Sequence, residues 1–219
     1  MATLVESPPA LETGAVVLRG ISWEVYERLL DDLERSNQKM YLTYDNGKLE
    51  IMPPSPFHEK NKKIIDRLIQ CMTMELGIAL YALGSTTFKR KSKLRGLEPD
   101  ECYYVQHEAQ MASKDTIDLD EDPPPDLAVE MDHTHHPLDR ESVYAGLGVP
   151  EIWQYDGKTL RGLGRSTEGQ YVDIECSIAF PFLRLVDVER FLKLAKDTTQ
   201  DNAACAFRDW IRQSYGRKA

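Results

Sequence analysis

Hydrophobic and polar positions along the chain alternate between two periods, and the switches between them outline the expected elements. Residues 1–20 read as a frayed or strand-like leader. Ser22 caps a helix whose apolar positions Trp23, Tyr26, Leu29, Leu30 and Leu33 recur every three or four residues. Tyr41–Tyr44 and Lys48–Met52 are β-rich runs flanking Asp45-Asn46-Gly47, the strongest short hairpin signal a sequence offers. A second helix is predicted over about 57–77, with Ile64, Ile65, Leu68, Ile69, Met72 and Leu76 on one stripe and Gly77 as its stop. Residues 78–91 read as one strand bent at Gly84, and Glu98–Val105 as another. The polar stretch 106–124 reads as a loop. Asp126–Met131 is apolar throughout except near its ends, the habit of a central strand buried on both faces. A third helix follows over about 137–147, then the strand Glu151–Tyr155, a hairpin over 160–174, and two closing helices over 186–196 and about 202–214.

This succession predicts an α/β (α+β) fold: a mixed sheet flanked by helices, with an N-terminal helix and hairpin. The expected division is a domain over 20–185 and a helical extension over 186–219 packed on it. With 219 residues, 42% of them hydrophobic and 29% charged, the chain has the balance of an ordinary globular protein. No apolar run approaches membrane-spanning length, and the N-terminal residues lack the pattern of a secretory signal, so a cytoplasmic address is expected. Cys71, Cys102, Cys176 and Cys205 show no paired spacing and are expected to be reduced, mostly buried thiols. The net charge of −9 is unusual for a protein that contacts phosphates, unless a metal ion or a local basic patch supplies positive charge.

The chemistry-bearing feature is a pair of acids on separate strands, with a basic residue on the helix that follows. Asp100 opens one strand and Glu130 ends the next. Stiff strands can hold two carboxylates over one spot, and a divalent cation such as Mg²⁺ or Mn²⁺ removes their repulsion. Such an ion activates water toward a phosphodiester. The other reading makes both acids solvated strand ends. A carboxylate on the apolar run Leu127-Ala128-Val129 is costly without a partner, which weighs against that reading for Glu130.

At these residues the chain resembles the Uma-type restriction-endonuclease family. The resemblance rests on Gly47–Met52, Ser55-Pro56 with His58, Arg95–Tyr104, Pro125–Glu130, and Tyr144 through Gly148–Trp153, in that order, over about residues 20–185. It implies the PD-(D/E)XK fold, with Pro99-Asp100 as the PD element and Glu130 as the following acid. It also implies an endonuclease acting on nucleic acid, with double-stranded DNA as the expected substrate and a homodimer as the expected assembly. Trp23, Tyr26, Trp153 and Trp210 could supply dimer surface or core. Two positions depart from the pattern. Asp132 stands where the strand lysine is usual, and Arg140 occupies the helix position where relatives carry that lysine. Arginine can clamp phosphate or stabilise developing charge but cannot act as a base. The alternative is therefore a weak or inactive nuclease fold that binds nucleic acid or protein. A non-nucleic hydrolase is a further rival, favoured by the charge.

Other positions keep two readings. Glu59 and His58 open the second helix, as auxiliary acid and substrate contact, or as dipole complement and cap. Glu98 and Asp126 share strand faces with Asp100 and Glu130 and are candidate ligands or strand-entry residues. His133, His135 and His136 with Asp132 form either a metal-binding loop or a solvated one. Lys89, Arg90, Lys91, Lys93 and Arg95 form a basic run, read as a phosphate-tracking strip toward Asp100 or as a solvated strand end.

Overall fold

The computed structural model describes residues 14–131 and 137–216. Strand β1 (Val16–Arg19) leads into helix α1 (Trp23–Arg35), where the Ser22 hydroxyl accepts a hydrogen bond from the Val25 amide. Strands β2 (Tyr41–Asp45) and β3 (Lys48–Met52) are joined at Asn46 and Gly47, both at positive φ (46° and 84°), which is the backbone a tight two-residue hairpin requires. Helix α2 (Pro56–Leu76) begins with proline behind the Ser55 cap and stops at the left-handed Gly77.

The run expected as one bent strand over 78–91 is instead two short strands in different sheets, β4 (Tyr81–Ala82) and β5 (Phe88–Arg90). Gly84, at φ 62°, lies in the crossing between them. Strands β6 (Arg95–Leu97) and β7 (Glu101–Tyr104) follow, and a short helix α3 (Glu108–Met111) lies within the stretch expected as loop. Then come β8 (Leu127–Met131), α4 (Arg140–Leu147), β9 (Glu151–Tyr155), β10 (Leu160–Arg165), β11 (Tyr171–Ile174), α5 (Leu185–Asp197) and α6 (Gln200–Tyr215).

The strands form two sheets. One is antiparallel throughout, in the order β1-β3-β2-β6-β5; the other is mixed, in the order β11-β10-β9-β8-β7-β4, with β8 and β9 its parallel pair. Helix α4 makes the crossover between those parallel strands. Strand β8 is buried on both faces, as its sequence predicted, and its period of two divides the core. Leu127, Val129 and Met131 pack with Ile65, Leu68 and Met72 of α2 and with Phe207 and Ile211 of α6. Ala128 faces the other way, with Cys102 and Tyr104 of β7 and Val143, Tyr144 and Leu147 of α4. Glu130 belongs to this second face. Its location under α4 follows from strand alternation alone.

The antiparallel sheet packs Leu42, Tyr44 and Leu49 against Trp23 and Tyr26 of α1. Trp23, Tyr26 and Trp153 are buried within the chain, and Trp210 stacks among Phe191, Phe207 and Tyr215. These aromatics serve the protein's own packing. Cys176 and Cys205 are exposed, contrary to the expectation of buried thiols. Among the described residues no helix is long and apolar enough to cross a membrane.

Candidate active site

Strands β7 and β8 pair antiparallel with Glu101 opposite Val129 and Cys102 opposite Ala128. Asp100 immediately precedes β7 and Glu130 follows Val129 on β8, so both acids stand at the same end of this strand pair. Both acids are buried (4% and 6% exposed). The Met131 amide donates to Asp100 Oδ2 at 2.8 Å, tying the two strand ends together.

Each acid has a basic side chain beside it. Nδ1 of His58, in the first turn of α2, stands 3.4 Å from Asp100 Oδ1 without the alignment of a hydrogen bond, so the contact is electrostatic. Burial opposes ionisation of Asp100, but the imidazole, the Met131 amide and Arg140 together hold its carboxyl below the usual range. Burial likewise opposes charging of His58, and Asp100 more than offsets it, so the imidazole titrates above its ordinary value. The stabilisation from this pair is greatest between the two titrations. It is lost as pH falls through the lowered Asp100 value, and as pH rises through the raised His58 value.

Glu130 is held by α4. Arg140 Nη2 donates to Glu130 Oε1 at 2.5 Å, and the Tyr144 hydroxyl donates to the same oxygen. The guanidinium also donates to Thr43 Oγ1 and to the Glu98 carbonyl, each at 2.7 Å. It thereby ties α4 to β2 and to the residue two before Asp100. Burial would weaken its hold on the proton, but the Glu130 carboxylate overcomes this and keeps Arg140 firmly cationic. Its Nε is buried without a hydrogen-bond partner.

Three participants were given no role by the sequence reading, although Tyr144 and Glu50 stand within its motifs. Tyr144 looks like one more apolar position on the α4 stripe. Thr43 and Glu50 are cross-strand partners on β2 and β3, and Glu50, fully buried, accepts from the Leu138 amide at 3.0 Å just ahead of α4. The two-residue Asn46-Gly47 turn fixes that pairing, so their juxtaposition could have been read from the turn.

Other predicted positions lie apart from the pair. Asp126, at the opposite end of β8, accepts from the Val105 and His107 amides (2.7 and 3.0 Å) and contacts His107 Nδ1 at 2.6 Å, which fixes a loop. The Glu98 carboxyl accepts from Thr87 at 2.8 Å and is pushed up by burial; it is the Glu98 carbonyl that meets Arg140. In the basic run, Lys89 pairs with Glu27, Arg90 donates to the Leu119 carbonyl, and Arg95 binds Asp45 and the Ser142 carbonyl. Only Lys91 and Lys93 of that run are exposed. The run therefore holds the fold at three positions rather than forming a continuous strip. Asp132, His133, His135 and His136 lie outside the described residues.

On the opposite face of β7, Glu101 is buried beside Asp66 of α2. Burial, then the Asp66 charge, pushes its carboxyl up to about 7. The folded carboxyl binds its proton more tightly than the unfolded chain does. Stability should thus fall as pH rises from about 4.5 to about 7 and then level off. Glu101→Gln is expected to be more stable than the parent at pH 8, by about 1–3 kcal/mol, and no more stable at pH 4.5. Urea denaturation at both pH values measures this; an equal difference at both would contradict it.

Among the described residues no group of three or more His, Cys, Asp or Glu side chains forms a metal cage. The Asp100–Glu130 pair is a smaller donor set. It is nevertheless of the kind that suits Mg²⁺, which is commonly held by one or two carboxylates with waters and substrate phosphate completing its shell.

No curated protein matches the chain. A solved structure described as a putative nuclease, from Anabaena variabilis ATCC 29413, is similar with a TM-score of 0.46 at 14% identity, covering 69% of this chain and 90% of its own. The family model Uma2, described as a putative restriction endonuclease, matches residues 23–199, most of the chain, and the protein therefore belongs to that family.

Proposed function

We propose that the protein is a divalent-metal-dependent endonuclease that hydrolyses DNA phosphodiester bonds at the Asp100–Glu130 centre. The observation that supports this reading is that two buried acids, Asp100 and Glu130, stand at the same end of β7 and β8 and both act on the His58 imidazole. Asp100 and Glu130 would hold Mg²⁺ or Mn²⁺, which when bound polarises a phosphoryl oxygen and acidifies water. The chain's own residues set the conditions. His58 and the Met131 amide keep Asp100 ionised and fixed. Tyr144 and Arg140 orient Glu130 through one oxygen. Arg140 would supply a permanent positive charge beside Glu130, but it cannot accept a proton.

A second reading is favoured by that same arginine. A buried guanidinium that already balances Glu130 suits a fold retained for binding rather than cleavage. Supercoiled plasmid incubated with the protein and Mg²⁺ or Mn²⁺ separates the two. The nuclease reading expects nicked or linear DNA that disappears with chelator. DNA bound without conversion by either ion would favour the binding module.

A further inference from the structure

An acidic chain that acts on DNA needs local positive charge for the phosphate backbone, and three of the five basic residues over 89–95 are already engaged within the fold. At the N-terminal turn of α2, three donors from two segments, the entry to β2 and α2 itself, converge on one oxygen of Glu59. Lys62 Nζ lies 3.0 Å from Oε1 and Lys39 Nζ 3.6 Å from it. The Tyr41 hydroxyl donates to it at 3.3 Å. Lys62 is the one buried lysine among the described residues, whereas the Glu59 side chain is 42% exposed. Burying an ammonium is costly; the nearby Glu101 carboxyl offsets part of that cost, and the solvent-facing Glu59 carboxylate adds little. Tyr41 connects this cluster to the acid centre: burial, then the charge of Asp100, then that of Glu59, raise its hydroxyl pKa.

We infer that Lys39, Tyr41 and Lys62 form a subsite for a backbone phosphate of the nucleic acid, and that Glu59 occupies it as a stand-in anion until substrate displaces it. The exchange balances in charge, since one carboxylate gives way to one phosphodiester. Two ammonium groups and a phenol already aimed at a single oxygen can pass to a phosphoryl oxygen with little rearrangement. The incoming anion also inherits the N-terminus of a 21-residue helix, which favours negative charge. Glu59 is then a competitor for the phosphate rather than an auxiliary acid. The inference rests on the nuclease reading only for the identity of the polyanion.

The test is fluorescence anisotropy of a labelled duplex oligonucleotide with the full chain, in chelator, across a KCl series. Lys39→Ala and Lys62→Met should each weaken binding several-fold and lower the salt slope by about one, as loss of a phosphate contact does. Glu59→Gln should tighten binding several-fold. Glu75→Gln removes the same charge about 24 Å along the same helix, where Glu75 pairs with Arg212, and should not tighten it. Lys62→Met keeps the buried stem, and the exposed Lys39→Ala reports even if that variant folds poorly. Unchanged salt slope in Lys39→Ala, or equal affinity in the parent and Glu59→Gln, overturns the subsite. Because no divalent ion is present, the predicted anisotropy pattern in a protein that fails to cut plasmid would retain the subsite and remove only the nuclease reading.

Discussion

Arg140→Ala is expected to lower folding stability by about 3–5 kcal/mol, the usual cost of removing one partner from a buried ion pair. The guanidinium joins three parts of the fold through Thr43, the Glu98 carbonyl and Glu130. Its loss removes one counter-charge from the buried Glu130 carboxylate. Arg140→Lys keeps the charge but not the planar fork, so it should cost less than the alanine change and more than a surface substitution. Neutralising both partners, Arg140→Met with Glu130→Gln, should recover much of the loss, because the penalty lies in the stranded charge. Urea denaturation of the parent, the two single variants and the double variant measures these differences. A loss below about 1 kcal/mol for Arg140→Ala would mean that the pair behaves as an exposed one.

Asp100→Asn should reduce divalent-ion-dependent plasmid cleavage by at least about 100-fold while leaving the protein folded. Loss of groups that merely orient metal ligands typically costs 10- to 100-fold, and Asp100 is proposed as a ligand itself. The asparagine keeps an oxygen to accept the Met131 amide, so the strand ends stay joined. It removes the charge, and with it both the attraction for the cation and the pull on His58. Initial rates of plasmid nicking at fixed Mn²⁺, with circular dichroism to confirm the fold, provide the measurement. Cleavage near the parental rate would remove Asp100 from the centre.

Local signals were the most legible in this sequence. Asn46-Gly47, Ser22, Gly77 and the α2 stripe each specify conformation within a few residues, and the elements they predict lie where expected. A buried carboxylate on an otherwise apolar strand requires a partner, which singled out Glu130, while pairing it with Asp100 rested on the family resemblance. What escaped depends on contacts distant along the chain. Sequence periodicity indicates strands but not how they divide between sheets, so the break between β4 and β5 and the separate antiparallel sheet were hidden. Thr43 meets Arg140 across 97 positions. The basic run was misleading for a similar reason. Successive strand residues face opposite ways, and the acids and carbonyls that engage Lys89, Arg90 and Arg95 come from elsewhere in the chain.

The central claim is that Asp100 and Glu130 work as one metal-dependent unit, and comparing two single substitutions with their combination tests it most directly. Nicking rates with Mn²⁺ should fall to a common floor in Asp100→Asn, in Glu130→Gln and in the double variant, since residues acting as a unit are not additive. Losses that multiply in the double variant, or a single variant that cuts like the parent, would contradict it.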